Sequence, residues 1–123
     1  MVKTPPKKIL IVEDDIKMRE LLKEILGPLK YQILEAGDGE EALDLLKNQA
    51  VDLIITDRAM PIMGGLEFLK KLREDNKTVP VLMLSAYGDE ELWASAVGLG
   101  IEDYIVKPFL AEDVLKIVKG KLL

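Results

Sequence analysis

Two reactive residue types are missing from this sequence, because its 123 residues include no cysteine and no histidine. The absence of cysteine excludes a disulfide scaffold and thiolate chemistry, and it suits the reducing cytoplasm, which is the expected localisation. The absence of histidine excludes a Ser-His-Asp triad, a histidine-bound zinc and a phosphohistidine on this chain. Polar chemistry must therefore come from carboxylates, hydroxyls and amines.

Long apolar runs are missing as well, although 49% of the residues are hydrophobic. No run approaches the roughly 20 residues that span a bilayer, so no membrane interaction is expected. The formal net charge of −5 argues against direct binding of nucleic acid through electrostatics. Length and composition together predict one globular domain over residues 1–123.

Short apolar runs alternate with helical patterns five times along the chain. The runs predict β-strands at 9–12, 31–36, 51–56, 79–84 and 101–106. Five strand–helix units predict an open parallel sheet with helices on both faces and right-handed crossovers. Strands one, three and four are the most apolar and belong in the middle, whereas Gln32 and Glu102 mark strands two and five as edges. The expected fold is a three-layer, doubly wound α/β fold of the flavodoxin-like type, with strand order 2-1-3-4-5.

The first helical pattern has a recognisable start, stripe and end. Asp14 or Asp15 offers an N-cap, and Gly27 with Pro28 ends the helix. Between them, apolar residues at helical spacing form the stripe that is predicted to face the core, namely Met18, Leu21, Leu22, Ile25, Leu26 and Leu29.

Polar side chains lie just beyond the apolar runs of four strands that the predicted order makes neighbours. They are Glu13 and Asp14 after strand one, Asp57 at the end of strand three, Ser85 after strand four and Lys107 after strand five. Because the carboxyl ends of parallel strands meet at one edge of the sheet, we expect these side chains to share one pocket.

The chemistry of such a pocket is restricted by its three carboxylates. Carboxylates held close together repel one another, so their pKa values should rise unless a cation lies between them. Oxygen ligands without imidazole favour Mg²⁺ over Zn²⁺, and an ammonium group such as that of Lys107 suits phosphate oxygens. Since a carboxylate can also act as a nucleophile, the residues predict Mg²⁺-dependent phosphoryl transfer to an aspartate.

Each of these residues also has an ordinary structural explanation. Asp14 can simply cap the first helix, and Asp57 can be a turn aspartate at the end of a strand. A lone Ser85 or Lys107 would usually be a loop residue or a solvated side chain. These separate explanations do not predict that the side chains meet, so convergence in the structure discriminates between the two interpretations.

Four motifs resemble those of the receiver domain of two-component response regulators. They are residues 9–15 (ILIVEDD), 57–61 (DRAMP), 85–86 (SA) and 103–109 (DYIVKPF). In this order and spacing they cover essentially the whole chain, from residue 8 to about residue 122. The resemblance implies the fold of the chemotaxis regulators and a signalling switch rather than an enzyme, one that promotes its own phosphorylation and dephosphorylation.

The resemblance implies a role for the residues that would touch the phosphoryl group. Asp57 would accept it, Ser85 would hydrogen-bond its oxygen and Lys107 would pair with it. Tyr104 would be an aromatic switch that changes rotamer when Ser85 moves. The peptide bond between Lys107 and Pro108 would be cis.

The same resemblance implies a set of Mg²⁺ ligands. Asp14 and Asp57 would bind the ion through their carboxylates, and Ala59 would bind it through its backbone carbonyl. Glu13, which stands where the family often has aspartate, would act through water. Gly64 replaces the usual aspartate of the loop after strand three, which leaves the conformation of that loop open.

The expected partners also follow from the resemblance. A histidine kinase or a histidine phosphotransfer protein would donate the phosphoryl group, and an output protein or domain would receive the signal. The output surface would be the face made by the predicted fourth helix at 89–99, strand five and the last helix, with Trp93 partly exposed on it. Residues 1–123 would form a receiver domain without an output domain, either as a stand-alone protein or as a piece of a larger regulator.

Three other functions are alternatives to this one. A haloacid-dehalogenase-type phosphatase also uses an aspartyl nucleophile with Mg²⁺, but it needs a second acid where this chain has Ala59. A pseudo-receiver, which binds partners without phosphorylation, would normally have lost one of Asp14, Asp57 or Lys107. A flavin carrier would need a hydroxyl-rich phosphate loop after strand one, where this chain has acids.

Overall fold

The computed structural model describes residues 5–75, 77–86, 94, 98–99, 101 and 103–122. Its strands are Lys8–Val12 (β1), Gln32–Ala36 (β2), Leu53–Asp57 (β3), Val81–Ala86 (β4) and Asp103–Lys107 (β5). Its helices are Ile16–Leu26 (α1), Gly39–Leu46 (α2), Gly65–Glu74 (α3) and the last helix, Ala111–Leu122, with a 3-10 turn at Gly27–Leu29. Most of the predicted helix at 89–99, including Trp93, and the edge residue Glu102 lie outside the described residues.

The five strands form one parallel sheet in the order β2-β1-β3-β4-β5. This order confirms the predicted flavodoxin-like topology, with β2 and β5 at the edges. Val12 pairs with Thr56, Asp57 with Leu84 and Ala86 with Lys107, so four neighbouring strands end at nearly the same level. The residues expected to react therefore lie along one edge of the sheet.

Side chains along each strand alternate between two apolar clusters, one on each face of the sheet. Leu10, Ile54 and Met83 belong to the cluster that α2 and α3 cover. Ile9 and Ile55 belong to the cluster under α1 and the last helix. This alternation between two covered faces explains why the central strands have continuous apolar runs. Within the described ranges, no helix combines the length and the apolar character needed to cross a membrane.

The start of α1 agrees with the prediction, but its apolar stripe is narrower. The side chain of Asp15 caps the helix by accepting a hydrogen bond of 2.9 Å from the backbone N–H of Lys17. Leu22 and Leu26 are buried, whereas Leu21 is 43% exposed, so its place in the core stripe was wrong. Leu21 lies one residue beside the buried positions, and periodicity alone does not fix the width of a helix's buried face.

Strands three, four and five begin two residues later than predicted. The apolar residues at the predicted starts are Val51, Val79 and Ile101, which pack partly buried against the core before strand pairing begins. The apolar pattern of the sequence indicates which residues are buried, whereas a strand is defined by backbone hydrogen bonds to a neighbouring strand. Pairing also continues through polar positions, so Ser85 lies inside β4 rather than after it, and Lys107 ends β5.

Gly120 in the last helix provides a test of this packing. A Cβ added there meets nothing within 4 Å, and glycine in a helix is less favourable than alanine by about 0.5–1 kcal/mol. Gly120→Ala is therefore expected to raise the free energy of unfolding by about that amount, measured by urea denaturation. Gly65→Ala is the opposite control, because a Cβ at Gly65 would overlap the carbonyl oxygen of Asp57. Equal changes in the free energy of unfolding for the two substitutions would contradict this packing.

Candidate functional site

Asp57 is the last residue of β3 and is only 6% exposed. Its Oδ1 accepts a hydrogen bond of 2.8 Å from the backbone N–H of Arg58, which also donates to the carbonyl of Leu84 at 2.9 Å. Its Oδ2 lies 2.9 Å from Nζ of Lys107 on β5. The backbone therefore orients one oxygen of this carboxylate, and an ammonium group neutralises the other.

Two glycines bring the start of α3 against the backbone of Asp57. The N–H of Gly65 donates to the carbonyl of Arg58 at 2.9 Å, and a Cβ on Gly65 would overlap the carbonyl oxygen of Asp57. A Cβ at Gly64 would lie 2.8 Å from that same Arg58 carbonyl, so glycine permits the close approach. The side chain of Thr56 also donates to the Asp57 carbonyl, at 3.0 Å. The loop conformation that the sequence left open is therefore a tight one that fixes the strand end.

Sequence reasoning missed these supporting contacts. The sequence pattern indicates turn chemistry with a positioning role for Gly64 and Gly65, and it places Thr56 in the apolar strand, but it does not identify what either contacts. A paired glycine shortly after a reactive residue is the signal that could have indicated close backbone packing.

Three carboxylates, one of them that of Asp57, meet at this edge of the sheet, as predicted. One oxygen from each of Glu13, Asp14 and Asp57 lies within 4.8 Å of the others. Glu13 and Asp57 are buried, whereas Asp14 is exposed at the mouth of the pocket. The backbone N–H of Glu13 donates to the carbonyl of Ala36 at 3.0 Å, which holds the end of β1 in place.

The electrostatics of the pocket centre on Glu13. Burial, a hydrogen bond with Asp57 and the charges of Asp57 and Asp14 together raise the pKa of Glu13 to about 8. Lys107 opposes this rise, since its Nζ lies 4.0 Å from Oε1 of Glu13. The side chain of Glu13 is only 2% exposed, so the structure keeps a carboxyl group in a place where its charge is unfavourable.

The donor set fits a divalent cation of the Mg²⁺ type. Among the described residues, Oε2 of Glu13 is a buried oxygen without a hydrogen-bond partner. The three acidic side chains of the cluster all offer oxygen, which hard cations prefer. A cation would lower the pKa of Glu13 and reduce the repulsion within the cluster. The carbonyl of Ala59 follows Asp57 by two residues in an exposed stretch of loop, and its role as a ligand stays a prediction.

Ser85 and Tyr104 occupy the same face of the sheet. Ser85 is 3% exposed near the end of β4, two residues after Met83 on the α2–α3 side. Tyr104 pairs directly with Met83 and is 38% exposed on the edge strand. Their roles in a switch stay predictions. The predicted cis peptide bond between Lys107 and Pro108 is present.

The sequence of this chain is similar to those of known proteins over most of its length. The sequence profile of the response regulator receiver domain matches residues 9–119. The transcriptional regulatory protein CpxR of Escherichia coli K12 is 40% identical over 115 residues, which make up 94% of this chain and 49% of CpxR. The sensor histidine kinase TmoS of Ectopseudomonas mendocina is 39% identical over 108 residues, or 86% of this chain and 11% of TmoS. The chain thus spans about half the length of CpxR and a small part of TmoS.

Solved structures with the same fold support this similarity. The chemotaxis protein CheY4 of Vibrio cholerae superposes with a TM-score of 0.88 at 34% identity, covering 96% of this chain and 100% of CheY4. A CheY-like receiver domain protein of Methanospirillum hungatei superposes with a TM-score of 0.89 at 30% identity, covering 96% of this chain and 94% of that one.

Proposed function

Because the chain belongs to the response regulator receiver domain family of two-component signalling, we propose that it is a switch controlled by phosphorylation of Asp57. The observation that carries the proposal is the convergence at one pocket of a buried aspartate, an ammonium group 2.9 Å away and two further carboxylates. The proposed phosphodonor is a histidine kinase or a histidine phosphotransfer protein. The proposed setting is the cytoplasm, without direct contact to membrane or nucleic acid.

The proposed chemistry is direct transfer between a phosphohistidine and Asp57. One carboxylate oxygen forms a bond to phosphorus while the P–N bond of the donor breaks, and the imidazole leaves with the electron pair. Lys107 then pairs with the phosphoryl oxygens instead of the carboxylate. The ion would be held by Asp14, Asp57 and the carbonyl of Ala59, with Glu13 acting through water. When bound, Mg²⁺ supplies positive charge for the phosphoryl oxygens.

The proposed output follows from the added charge. The phosphoryl oxygens would draw in the hydroxyl of Ser85 and bias two conformations of the last two strand–helix units, with Tyr104 as the moving ring. An open groove of about 840 Å³ lies between β5 and the last helix, and Phe109 and Ile117 contribute to its lining. This groove belongs to the face that we propose as the output surface.

The phosphatase alternative has less support from the site. In the described loop after β3, the position two residues beyond Asp57 holds Ala59, which cannot act as a second acid. The pseudo-receiver alternative is also disfavoured, since Asp57 and Lys107 are both present and in contact. We therefore propose that the protein hydrolyses only its own phosphoryl group.

Incubation with acetyl phosphate tests the proposal without a protein partner. Intact-mass measurement is expected to show a single phosphoryl adduct with MgCl₂ and none with EDTA. A phosphatase would instead release phosphate repeatedly from an ester such as p-nitrophenyl phosphate without a lasting adduct. Failure of both acetyl phosphate and phosphoramidate to form an adduct at any Mg²⁺ concentration would remove the proposed function.

Lys107→Ala separates signalling from folding. Since Nζ of Lys107 lies 2.9 Å from Asp57, its removal takes away a competing cation, and Mg²⁺ is expected to bind roughly two- to tenfold more tightly. The variant should stay folded, yet hydrogen exchange in β5 should no longer respond to phosphorylation. Lys121→Ala is the control, because Lys121 pairs with Asp103 at 3.4 Å and should leave Mg²⁺ affinity unchanged. Loss of folding in Lys107→Ala would mean that this lysine is mainly structural.

A further inference from the structure

Thr56 is a buried hydroxyl residue directly before the proposed phosphoacceptor, and the proposed chemistry does not use it. It is the fourth residue of β3, its exposed fraction is 0%, and its strand partners are Val12 and Met83. Both partners belong to the apolar cluster that α2 and α3 cover, so the hydroxyl lies on an apolar face of the sheet. Valine has nearly the same shape as threonine and would avoid the cost of burying a hydroxyl group there.

The hydroxyl of Thr56 has a hydrogen-bond acceptor inside the site. It donates to the backbone carbonyl of Asp57 at 3.0 Å. This carbonyl and the N–H of Arg58 belong to the same planar peptide group, whose partial double bond prevents them from turning independently. The hydroxyl therefore restrains the direction of the Arg58 N–H as well as that of the carbonyl.

The N–H of Arg58, at the other end of this peptide group, orients the carboxylate of Asp57. It donates to Oδ1 of Asp57 at 2.8 Å and to the carbonyl of Leu84 on β4 at 2.9 Å. Because hydrogen bonds weaken as their angle departs from linearity, rotation of the peptide plane changes how the N–H is divided between its two acceptors. The orientation of this plane thus decides how firmly Oδ1 of Asp57 is held.

We propose that Thr56 is a positioning residue for phosphoryl transfer, and that it acts on the carboxylate of Asp57 through the Asp57–Arg58 peptide group. The inference rests on the proposed function and deepens it, because it assigns a residue that keeps the nucleophile in its reactive orientation. Without the hydroxyl, the peptide plane rotates more freely and the carboxylate is aligned for attack on phosphorus less often. Binding of the donor is unchanged, since Lys107 and the acidic cluster keep their side chains.

Two pairs of side chains isolate the hydroxyl of Thr56. Thr56→Val replaces the hydroxyl by a methyl group of similar size, whereas Thr56→Ser keeps the hydroxyl. Thr56→Ala differs from Thr56→Ser by the hydroxyl alone, so this second pair decides the question if the valine variant does not fold. Thr78→Val is the control for the loss of a threonine hydroxyl, because Thr78 is exposed on the connection before β4.

The rate of phosphorylation by acetyl phosphate, followed by intact mass at saturating MgCl₂, measures the effect. Thr56→Val is expected to lower the maximal rate constant about three- to tenfold, as the loss of one hydrogen bond does, without changing the half-saturating acetyl phosphate concentration. Thr56→Ala should be slower than Thr56→Ser by a similar factor. Thr56→Ser and Thr78→Val should react within about twofold of the wild-type rate constant.

Hydrogen exchange distinguishes positioning from a general loss of structure. The amide of Arg58 should exchange faster in Thr56→Val and Thr56→Ala than in wild type, while the amide of Ile55 on the same strand keeps its rate. Equal acceleration at both amides would show that Thr56 only stabilises β3, and the positioning role would be wrong.

The kinetic outcomes are equally decisive. Equal rate constants for wild type and Thr56→Val, or for the serine and alanine variants, would show that the hydroxyl does not position Asp57. A change in the half-saturating concentration alone would overturn the proposal too, because Thr56 would then act on donor binding. In each of these cases wild type still forms the adduct and the proposed function stands. Absence of an adduct on wild type would instead remove the proposed function.

Discussion

Replacing Asp57 by asparagine is expected to abolish the phosphoryl adduct completely, with acetyl phosphate and with a protein donor alike. The amide keeps the shape of the side chain, and its oxygen can still accept the 2.8 Å hydrogen bond from the N–H of Arg58. An amide oxygen is, however, a poor nucleophile, and the attraction to Lys107 is lost. Intact-mass spectra of both proteins, after the same incubation with MgCl₂, measure the effect.

Asp52→Asn is the matched control for this substitution. Asp52 lies just before the opposite end of the same strand, where its carboxylate accepts a 2.8 Å hydrogen bond from the backbone N–H of Lys8. The two variants carry the same change of charge, but only Asp57 lies in the pocket. The control should therefore retain the adduct. An adduct that persists in Asp57→Asn would show that another side chain accepts the phosphoryl group, and the assignment of Asp57 would be wrong.

The topology of the sheet could be predicted because it depends on patterns that a sequence displays directly. Continuous apolar runs place three strands in the middle, and polar residues such as Gln32 place the others at the edges. The parallel order then brings Asp57 and Lys107 to one edge without any knowledge of distances. The strand limits were less predictable, since Val51 and Val79 are partly buried by packing against the core although they lie before the paired residues.

The finer properties of the pocket depend on tertiary distances that the sequence does not display. The resemblance implies different roles for Glu13 and Asp14 at the metal, but it does not predict that Glu13 is buried while Asp14 is exposed. The close packing of Gly65 on the Asp57 carbonyl and the left-handed turn at Ile62 arise only when α3 docks on the sheet. The receiver-domain motifs thus indicate which residues meet. The tertiary structure determines which of their carboxyl groups is buried where its charge is unfavourable.

The metal-free domain is expected to lose stability as the pH rises from about 4.5 to about 8. Burial and the neighbouring Asp57 raise the pKa of Glu13 from 4.5 to about 8, so the folded protein binds its proton more tightly than the unfolded chain does. Below that range both states are protonated and this carboxyl has no effect. Above it, ionisation of Glu13 costs the folded state more than the unfolded one. Urea denaturation in EDTA at several pH values measures this slope.

Glu13→Gln is expected to remove most of the slope, because the amide resembles the protonated acid and stays neutral. Relative to wild type, the variant should gain roughly 3 kcal/mol at pH 7 but less than about 1 kcal/mol at pH 5. Glu24→Gln, at an exposed position of α1, is the control for the loss of one charge and should change stability little at either pH.

Addition of Mg²⁺ should reduce or reverse the stability advantage of Glu13→Gln, because the charge that destabilises the metal-free pocket is the charge that favours the ion. A ligand that binds only the folded state stabilises it by about 2.7 kcal/mol at a hundred times its dissociation constant. As the metal concentration rises, the free energy of unfolding of wild type should approach or exceed that of Glu13→Gln. The variant contributes one carboxylate fewer to the cluster of Glu13, Asp14 and Asp57. Equal stabilities of the two proteins in EDTA at pH 7 would show that Glu13 does not share a buried site with Asp57. Equal gains on adding Mg²⁺ would show that the ion binds elsewhere.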